Sequence, residues 1–286
     1  MKLKYLLVLL TSLLLSCSNN DENTSTPGKD LASTIDKHYF NGNVTSRIET
    51  YYSNNKATEM LFYTGSTLTQ KYVHEYGSDG QVAMLKIYNL NNDLAVTNAY
   101  QYNNAGRLIG AVRTDLIEGD EIQWGPQTTY TYTYNEDTIV VNQASSGSPS
   151  DSFTYYVNTE GRIYKAVGEN GSVLGEVAYE GNNILWYKYG STLMTYTYDH
   201  EHEAKGHYLN FFKNQMNGHE LNHVVSGGFA NALIGTDHYM IHQSGANGEV
   251  GATYQFEFDS EGFPVKKSIF SLSSTQPNNV VEINYQ

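Results

Sequence analysis

Residues 219–223 (HELNH) have the types and the spacing of a zinc-binding motif. On a helix, positions i and i+4 lie on one face, so His219 and His223 could bind the same Zn²⁺. Glu220 would then be the general base that activates the zinc-bound water, which is the chemistry of a metallopeptidase. Candidates for a third ligand follow later in the chain: His238, His242 and Glu249.

The surroundings of this motif favour a loop over a long helix. Gly218 precedes it and residues 226–228 (SGG) follow it. About seven residues lie between these breakers, which is fewer than two helical turns. The motif also lies in a stretch, 199–247, that holds seven of the nine histidines and loses the alternation found elsewhere. Two alternatives to catalytic zinc therefore stay open: a structural or adventitious metal, and loop histidines that bind no metal.

The N-terminus has the features of a bacterial export signal, and we predict a signal peptide over residues 1–16. Lys2 and Lys4 precede an apolar stretch at 5–15 (YLLVLLTSLLL), which is shorter than the ~20 residues that span a bilayer. Residues 14–17 (LLSC) resemble a lipobox, and the resemblance implies cleavage before Cys17 and lipidation of its thiol. Since the chain has one cysteine, the fold has no internal disulfide.

Residues 17–36 are predicted to be the lipidated cysteine and a flexible tether, because they are polar and contain Pro and Gly. The acidic stretch 18–22 (SNNDE) resembles those that follow the cysteine in surface lipoproteins of Bacteroidetes. This resemblance implies an outer-membrane lipoprotein exposed at the cell surface; a linker that is acidic by chance is the alternative. The folded domain is predicted to cover 37–286.

The charge of the chain excludes one class of partner. The 17 basic residues stand against 30 acidic ones, for a formal charge of −13, and phosphate backbones are bound by clustered Lys and Arg. We therefore expect no nucleic-acid partner. The sequence has no glycine-rich phosphate loop and no G-x-S-x-G motif, so we also expect no cofactor. The expected partners are the membrane, through the lipid on Cys17, and a ligand.

From about residue 37 onward, aromatic residues repeatedly alternate with polar ones. Tyr130, Tyr132 and Tyr134 are separated by threonines, and residues 196–198 (YTY) and 254–258 (YQFEF) have the same pattern. Successive side chains of a strand point to opposite faces, so a period of two puts all the rings on one face. One apolar face and one polar face are typical of antiparallel sheets.

A five-residue turn pattern follows several of these strands. Residues 102–108 (YNNAGRL) show it best, and variants occur at 76–82, 157–163 and 258–263. Asn or Asp at the first position accepts a hydrogen bond from a backbone N–H two residues on. Gly three residues later takes a positive φ, at which a Cβ would clash. The pattern therefore predicts hairpins closed by a type I turn and a bulge.

Residues 100–108 (YQYNNAGRL) resemble the tyrosine–aspartate (YD) repeat, Y-x-Y-D-x-x-G-R-L, and residues 256–266 (FEFDSEGFPVK) resemble its degenerate units. With the lipobox and the tether, the chain is similar to a domain of unknown function in Bacteroidetes lipoproteins that carries such hairpins and has a porin-like fold. It departs from the repeat at positions 103 and 158, where Asn replaces Asp. The turn glycines are also irregularly spaced, which favours a meander over a solenoid or propeller.

The predicted fold is all-β: an antiparallel meander of about 14–18 strands with one His-rich irregular insertion. Open sheets of more than ~10 strands curl or split, and the aromatic face needs cover. We therefore expect a curved sheet, a half-barrel or a barrel-like, porin-like form with tyrosines inside. A membrane-spanning barrel is disfavoured, because the second face carries Thr, Gln, Glu and Asn and the mean hydropathy is −0.48.

Three functional hypotheses follow. The first is a non-enzymatic binding or scaffolding module at the outer membrane, because Tyr-rich faces suit a glycan or a peptide. The second is a zinc metallopeptidase that uses residues 219–223. The third is a carrier of a hydrophobic ligand, in which the curled sheet encloses a cavity.

Overall fold

The structure is a computed structural model that describes residues 29–117, 123–160, 162–181, 183–203, 238–245, 247–272 and 274–286. All the regular elements in these ranges are strands. They are β1 (Leu31–Phe40), β2 (Asn43–Ser53), β3 (Lys56–Thr64), β4 (Thr67–Tyr76), β5 (Val82–Tyr88), β6 (Leu94–Tyr102), β7 (Leu108–Ile117), β8 (Gln123–Tyr134), β9 (Thr138–Ser145), β10 (Asp151–Val157), β11 (Ile163–Gly168), β12 (Val173–Glu180), β13 (Asn183–Tyr189), β14 (Thr192–Glu203), β15 (His238–Gly245), β16 (Val250–Phe258), β17 (Pro264–Ser271) and β18 (Asn279–Tyr285). Across the described ranges, no helix has the length and apolarity needed to cross a membrane.

The 18 strands form one antiparallel sheet that closes on itself. Each strand pairs with its neighbours in sequence, and β18 returns to pair with β1. At this seam Leu31 pairs with Tyr285 and His38 with Asn279. The predicted antiparallel meander and its strand number are confirmed. Of the predicted forms, which were a curved sheet, a half-barrel and a barrel, the structure has the barrel.

The two faces of the wall differ as the alternation predicts. Tyr130, Tyr132 and Tyr134 share one face, and Tyr132 pairs with Val141 of β9. On the same face, side chains of β5–β13 form the main hydrophobic cluster. Its buried members are Leu85, Tyr100, Leu108, Ala111, Tyr130, Tyr132, Ile139, Val141, Tyr155, Ala166, Val177 and Ile184.

This tyrosine-bearing face is the inner face of the barrel. Tyr155 is 2% exposed and Val141 is 0% exposed, whereas Thr129, Thr131 and Thr133 on the opposite face of β8 are exposed. In a closed barrel, only the side chains that point inward are shielded by the wall on all sides. The apolar layer is therefore inside, and the polar residues of the alternating pattern form the outer wall.

Charged residues reinforce the outer wall across the seam. Lys266 Nζ lies 2.6 Å from Glu257 Oε1, and Lys37 Nζ lies 2.6 Å from Glu282 Oε1. Since Lys266 also pairs with Glu282 in register, charges of alternating sign run from β16 through β17 and β18 to β1. Opposite charges on adjacent strands stabilise the pairing and help to define its register.

The two ends of the barrel are built differently. Even-numbered strands end at one end of the barrel. We call it the tyrosine end, because tyrosine hydroxyls there donate hydrogen bonds to backbone carbonyls at the start of the preceding strand. These bonds are Tyr76 to Ala57 (2.7 Å), Tyr102 to Val82 (3.0 Å), Tyr179 to Ile163 (2.8 Å), Tyr198 to Ile184 (2.9 Å) and Tyr285 to Pro264 (2.9 Å). The opposite end we call the open end, since its inner-face side chains are exposed, Tyr189 by 48% and the His38 side chain by 47%.

The predicted turns have the expected geometry. Asn103 Oδ1 accepts hydrogen bonds from the backbone N–H of Ala105 at 3.0 Å and of Arg107 at 2.9 Å. Gly106 has a φ of 75°, where a Cβ would also meet Gln81 Nε2 at 2.7 Å. Three further turns of this kind, at 89–93, 168–172 and 245–249, are at the open end.

Two predicted boundaries differ from the structure. β1 begins at Leu31, inside the predicted tether 17–36, because Leu31 is buried and the strand pairs with both β18 and β2. The predicted irregular stretch 199–247 includes residues that form strands, since β14 continues to Glu203 and β15 begins at His238. Strand pairing along these segments overrides their polar composition.

Candidate functional site

The residues predicted to do chemistry lie outside the part of the chain that the structure describes. Cys17 is in the N-terminal 28 residues, and His219, Glu220 and His223 fall within 204–237. Lipidation at Cys17 and zinc binding at residues 219–223 therefore stay predictions.

The candidate third zinc ligands are described, and they do not come together. His238 is at the tyrosine end, where its Nδ1 lies 3.0 Å from Asn183 Nδ2 and its ring centroid 4.9 Å from that of His200. His242 pairs with Thr197 on the outer face, and Glu249 is in a turn at the open end. Among the described residues, no group of three or more His, Cys, Asp or Glu side chains could hold a metal ion.

The barrel interior itself is the candidate site, because it is closed at one end and accessible at the other. Towards the tyrosine end the inner face is packed, with Tyr132 4% and Tyr198 6% exposed. Towards the open end, Arg113 and Asp115 are each 44% exposed at their side chains. Among the described residues, the inner face is therefore accessible at the open end and packed at the tyrosine end.

A cavity of about 400 Å³ lies at the open end, between β14, β15 and β16. This volume falls within the range of small-molecule sites. The inner-face residues Met194, Gln243, Gly245 and Ala252 contribute to its lining. At Gly245, an added Cβ would have no heavy atom within 4 Å, so the space is formed by the missing side chain.

The amide of Gln243 lines this cavity, and a tyrosine hydroxyl is bonded to it. Tyr254 donates its hydroxyl hydrogen to Gln243 Oε1 at 2.8 Å, and Gln243 Nε2 lies 3.4 Å from Met194 Sδ. Burial, together with smaller effects of the neighbouring Tyr254 and Tyr187, raises the pKa of Tyr196 to about 12. The Tyr196 phenol is therefore neutral at physiological pH and can both donate and accept hydrogen bonds.

A second group of polar residues lies across the interior, on β4, β7 and β8. Arg113 Nη2 is 2.9 Å from Asp115 Oδ1. Burial raises the pKa of Tyr72 and of Tyr130, and the nearby Arg113 guanidinium opposes that rise in both cases. The positive charge of Arg113 thus extends over two tyrosine hydroxyls of the inner face.

A third polar group lies at the seam. Asn279 Nδ2 donates to Asp36 Oδ1 at 2.5 Å, and His38 Nε2 lies 3.6 Å from the same carboxylate oxygen. The inner face thus carries charged side chains on the arc through β1 and again at β7. On the arc from β13 to β16 it is aromatic and neutral.

One buried histidine lies on β4, on the inner face. His74 pairs with Leu85 of the main cluster, and burial lowers its pKa to about 4. The imidazole is therefore neutral at physiological pH, which makes it a structural group in this barrel.

Sequence reasoning found the aromatic face but missed the residues that border the cavity. Gln243 lies in the segment predicted to be irregular, and a register shift between Gln243 and Ser244 aligns it with Ala252. A bulge changes which residues share a face without changing the composition. The one usable signal was the period of two in residues 254–258, which puts Tyr254 on the aromatic face.

Comparison with known proteins bears on the fold. The chain is similar to a porin-like protein from Bacteroides vulgatus, with 12% identity, 91% of this chain and 99% of that chain covered, and a TM-score of 0.44. A porin-like protein from Bacteroides uniformis is also similar, with 13% identity, 90% and 98% covered, and a TM-score of 0.36. No protein-family model and no curated protein matches the chain. The barrel of 18 antiparallel strands rests on the pairing of the described strands, independently of these two similarities.

Proposed function

We propose that this protein is a lipoprotein of the outer membrane and a non-enzymatic binding module that takes a glycan or a peptide into the open end of its barrel. The observation that carries this proposal is the unequal exposure of the inner face, which is packed at the tyrosine end and accessible at the open end. A cavity with few polar groups in defined positions is the usual form of a small-ligand site.

The position of the N-terminus supports an outward-facing site. Lys29 Nζ lies 2.7 Å from Asp259 Oδ2 and 3.0 Å from Glu261 Oε1, which fastens the start of the barrel to the β16–β17 turn at the tyrosine end. Cys17 is 12 residues earlier, and a flexible coil of that length spans about 17–21 Å. A lipid on Cys17 would hold the tyrosine end towards the membrane and the open end away from it.

The outer wall argues against a barrel that crosses the bilayer itself. Lys37, Lys266 and Glu282 are in the middle of strands on the outer face. A Lys on the lipid face costs about 2–4 kcal/mol at the midplane of a bilayer. The outer wall is therefore better suited to contact with water than with lipid, and in this proposal the lipid on Cys17 attaches the protein to the membrane.

The chemistry of the cavity favours a polar ligand over a fatty one. Its surroundings include the amide of Gln243 and the hydroxyl of Tyr254, while the apolar core is filled at the tyrosine end. A hydrocarbon chain would offer no hydrogen bond to the Glu249 carboxylate or the Gln243 amide that line the cavity. A hydrophobic-ligand carrier is therefore the less favoured alternative.

The test is binding by the exported chain with Cys17→Ser, which keeps all residues after the signal peptide and removes the anchor. We expect retention on a glycan or peptide array and a saturable heat of binding in calorimetry. If the folded protein bound none of the glycans, peptides or fatty acids offered, the binding function would be rejected.

A further inference from the structure

The inner face of the barrel is chemically divided, and the division bears on the ligand. At the open end, Arg113 and Asp115 lie on β7, and Asp36 and His38 lie on β1. On the arc β13–β16, the inner-face positions towards the open end are Tyr187, Tyr189, Thr192, Met194, Tyr196, Gln243, Gly245, Ala252 and Tyr254. These strand side chains are uncharged, and Glu249, which lines the cavity from the adjoining turn, is acidic, so an anionic ligand would find no counter-ion here.

Aromatic residues of the arc are cross-strand neighbours of residues that line the cavity. Tyr187 pairs directly with Met194, Tyr196 pairs with Gln243, and Gln243 pairs with Ala252. The hydroxyls of Tyr187, Tyr196 and Tyr254 are close enough for the first and last to influence the pKa of the second. Tyr187 and Tyr196 are thus the register partners of the lining residues Met194 and Gln243, and Tyr254 is bonded to Gln243, so three phenols from three strands lie next to residues that line the cavity of about 400 Å³.

Gln243 makes a hydrogen bond that a ligand could improve. Its Oε1 is bound to the Tyr254 hydroxyl at 2.8 Å, but its Nε2 is directed at the thioether sulfur of Met194 at 3.4 Å. A thioether is a weak acceptor, whereas a hydroxyl oxygen accepts an N–H hydrogen bond at full strength. A ligand hydroxyl that replaced the sulfur would gain an amide donor held in place by Tyr254.

We propose that this arc is a binding site for a small uncharged saccharide, with Gln243 as the hydrogen-bonding residue and Tyr187, Tyr196 and Tyr254 as the aromatic wall. The C–H faces of a sugar ring pack on flat rings, and its hydroxyls use the phenols and the amide. The arc offers no cation and Glu249 adds a carboxylate at the cavity, so carboxylated sugars are not among the favoured ligands. This inference rests on the proposed binding function and adds the place and the chemical class of the ligand.

Two substitutions test the site from different directions. Gln243→Leu removes the amide at nearly constant volume, and Gly245→Leu fills the cavity at a position where a Cβ meets nothing within 4 Å. The matched control is Gln143→Leu, because Gln143 is also an inner-face glutamine two residues before the end of its strand, on β9. Circular dichroism and thermal melting establish that each variant folds before its binding is compared.

The measurement is isothermal titration calorimetry on the full exported chain carrying Cys17→Ser, at pH 7. The probes are maltose, cellobiose and N-acetylglucosamine as neutral saccharides, glucuronate as a charged one and decanoate as an apolar one. We expect binding of at least one neutral saccharide, a loss of tenfold or more in affinity for Gln243→Leu and for Gly245→Leu, and no change for Gln143→Leu.

The outcomes separate this inference from the proposed function. Preference for glucuronate or decanoate, or saccharide binding that survives both Gln243→Leu and Gly245→Leu, would overturn the neutral-saccharide site while leaving a binding module. An absence of binding to every one of these probes would overturn the site, and failure on the glycan and peptide arrays as well would overturn the binding function.

Discussion

His74 shows how a single residue ties the stability of this barrel to pH. Its pKa is lowered to about 4 by burial, whereas an exposed histidine titrates near 6.5. Between these two values the unfolded chain binds a proton that the folded chain does not. Stability is therefore full above about pH 6.5 and falls as the pH decreases towards 4.

We expect the protonation of this histidine in the unfolded chain to lower the free energy of unfolding by about 3 kcal/mol as the pH decreases from 7.5 to 4. His74→Leu should remove most of that loss while keeping the inner face apolar. Urea unfolding at pH 7.5, 5.5 and 4.0, followed by circular dichroism, measures the difference. Asp259, whose pKa is lowered to about 2 chiefly by Lys29, acts in a separate and more acidic range. Equal pH dependence in both proteins would show that His74 is not the group involved.

The stability of the strands at the tyrosine end depends on tyrosine hydroxyl groups that form hydrogen bonds with the backbone of a neighbouring strand. Tyr198 is the most complete case, because its oxygen donates to Ile184 O at 2.9 Å and accepts from Ile184 N–H at 3.1 Å. The side chain is 6% exposed, so water cannot easily replace it. Each such bond joins a tyrosine of one strand to the start of the strand before it.

Tyr198→Phe should therefore destabilise the barrel by about 1–3 kcal/mol, because both backbone groups of Ile184 would lose their partner. Tyr189→Phe is the control, since Tyr189 is on β13 and is 48% exposed, and it should change stability by less than about 0.5 kcal/mol. Denaturant unfolding of the two variants gives the comparison. Equal effects would show that the hydroxyl bond of Tyr198 adds nothing to the wall.

The elements were largely predictable because their signals are local. Alternation in residues 130–134 depends on the strand alone, and the turn at Asn103 is fixed by contacts within five residues. The turn at 89–93 was missed because Asn92, with a φ of 65°, takes the place of glycine. The seam could not be predicted, since it joins Leu31 to Tyr285 across nearly the whole chain and no short pattern encodes that pairing.

At the scale of the whole molecule, closure explains how one chain combines a dry interior with a water-compatible surface. The wall leaves no unpaired edge among the described strands, because each of them has two partners. Unpaired edges invite association with other chains. The same closure leaves the open end accessible and puts Lys29 and the start of β1 at the tyrosine end.

The proposed lipid anchor at Cys17 predicts an orientation of the barrel on a membrane. Single cysteines can replace Asn104, in a turn at the tyrosine end, or Ser66, in a turn at the open end, provided that the proposed lipid blocks the Cys17 thiol. On lipid vesicles, a fluorophore at position 104 should be quenched more strongly by a headgroup quencher than one at position 66. The reverse order would contradict an outward-facing open end.

The central claim, an apolar inner face that is accessible from one end, is tested most directly by thiol labelling in the Cys17→Ser background. The account predicts rapid reaction of a small maleimide with Asn142→Cys, which is exposed on the outer face, and with Thr192→Cys, which is exposed on the inner face at the open end. It predicts protection of Val141→Cys, which is on the inner face with 0% exposure, until the protein unfolds. Labelling of Val141→Cys as fast as Asn142→Cys in the folded protein would contradict it.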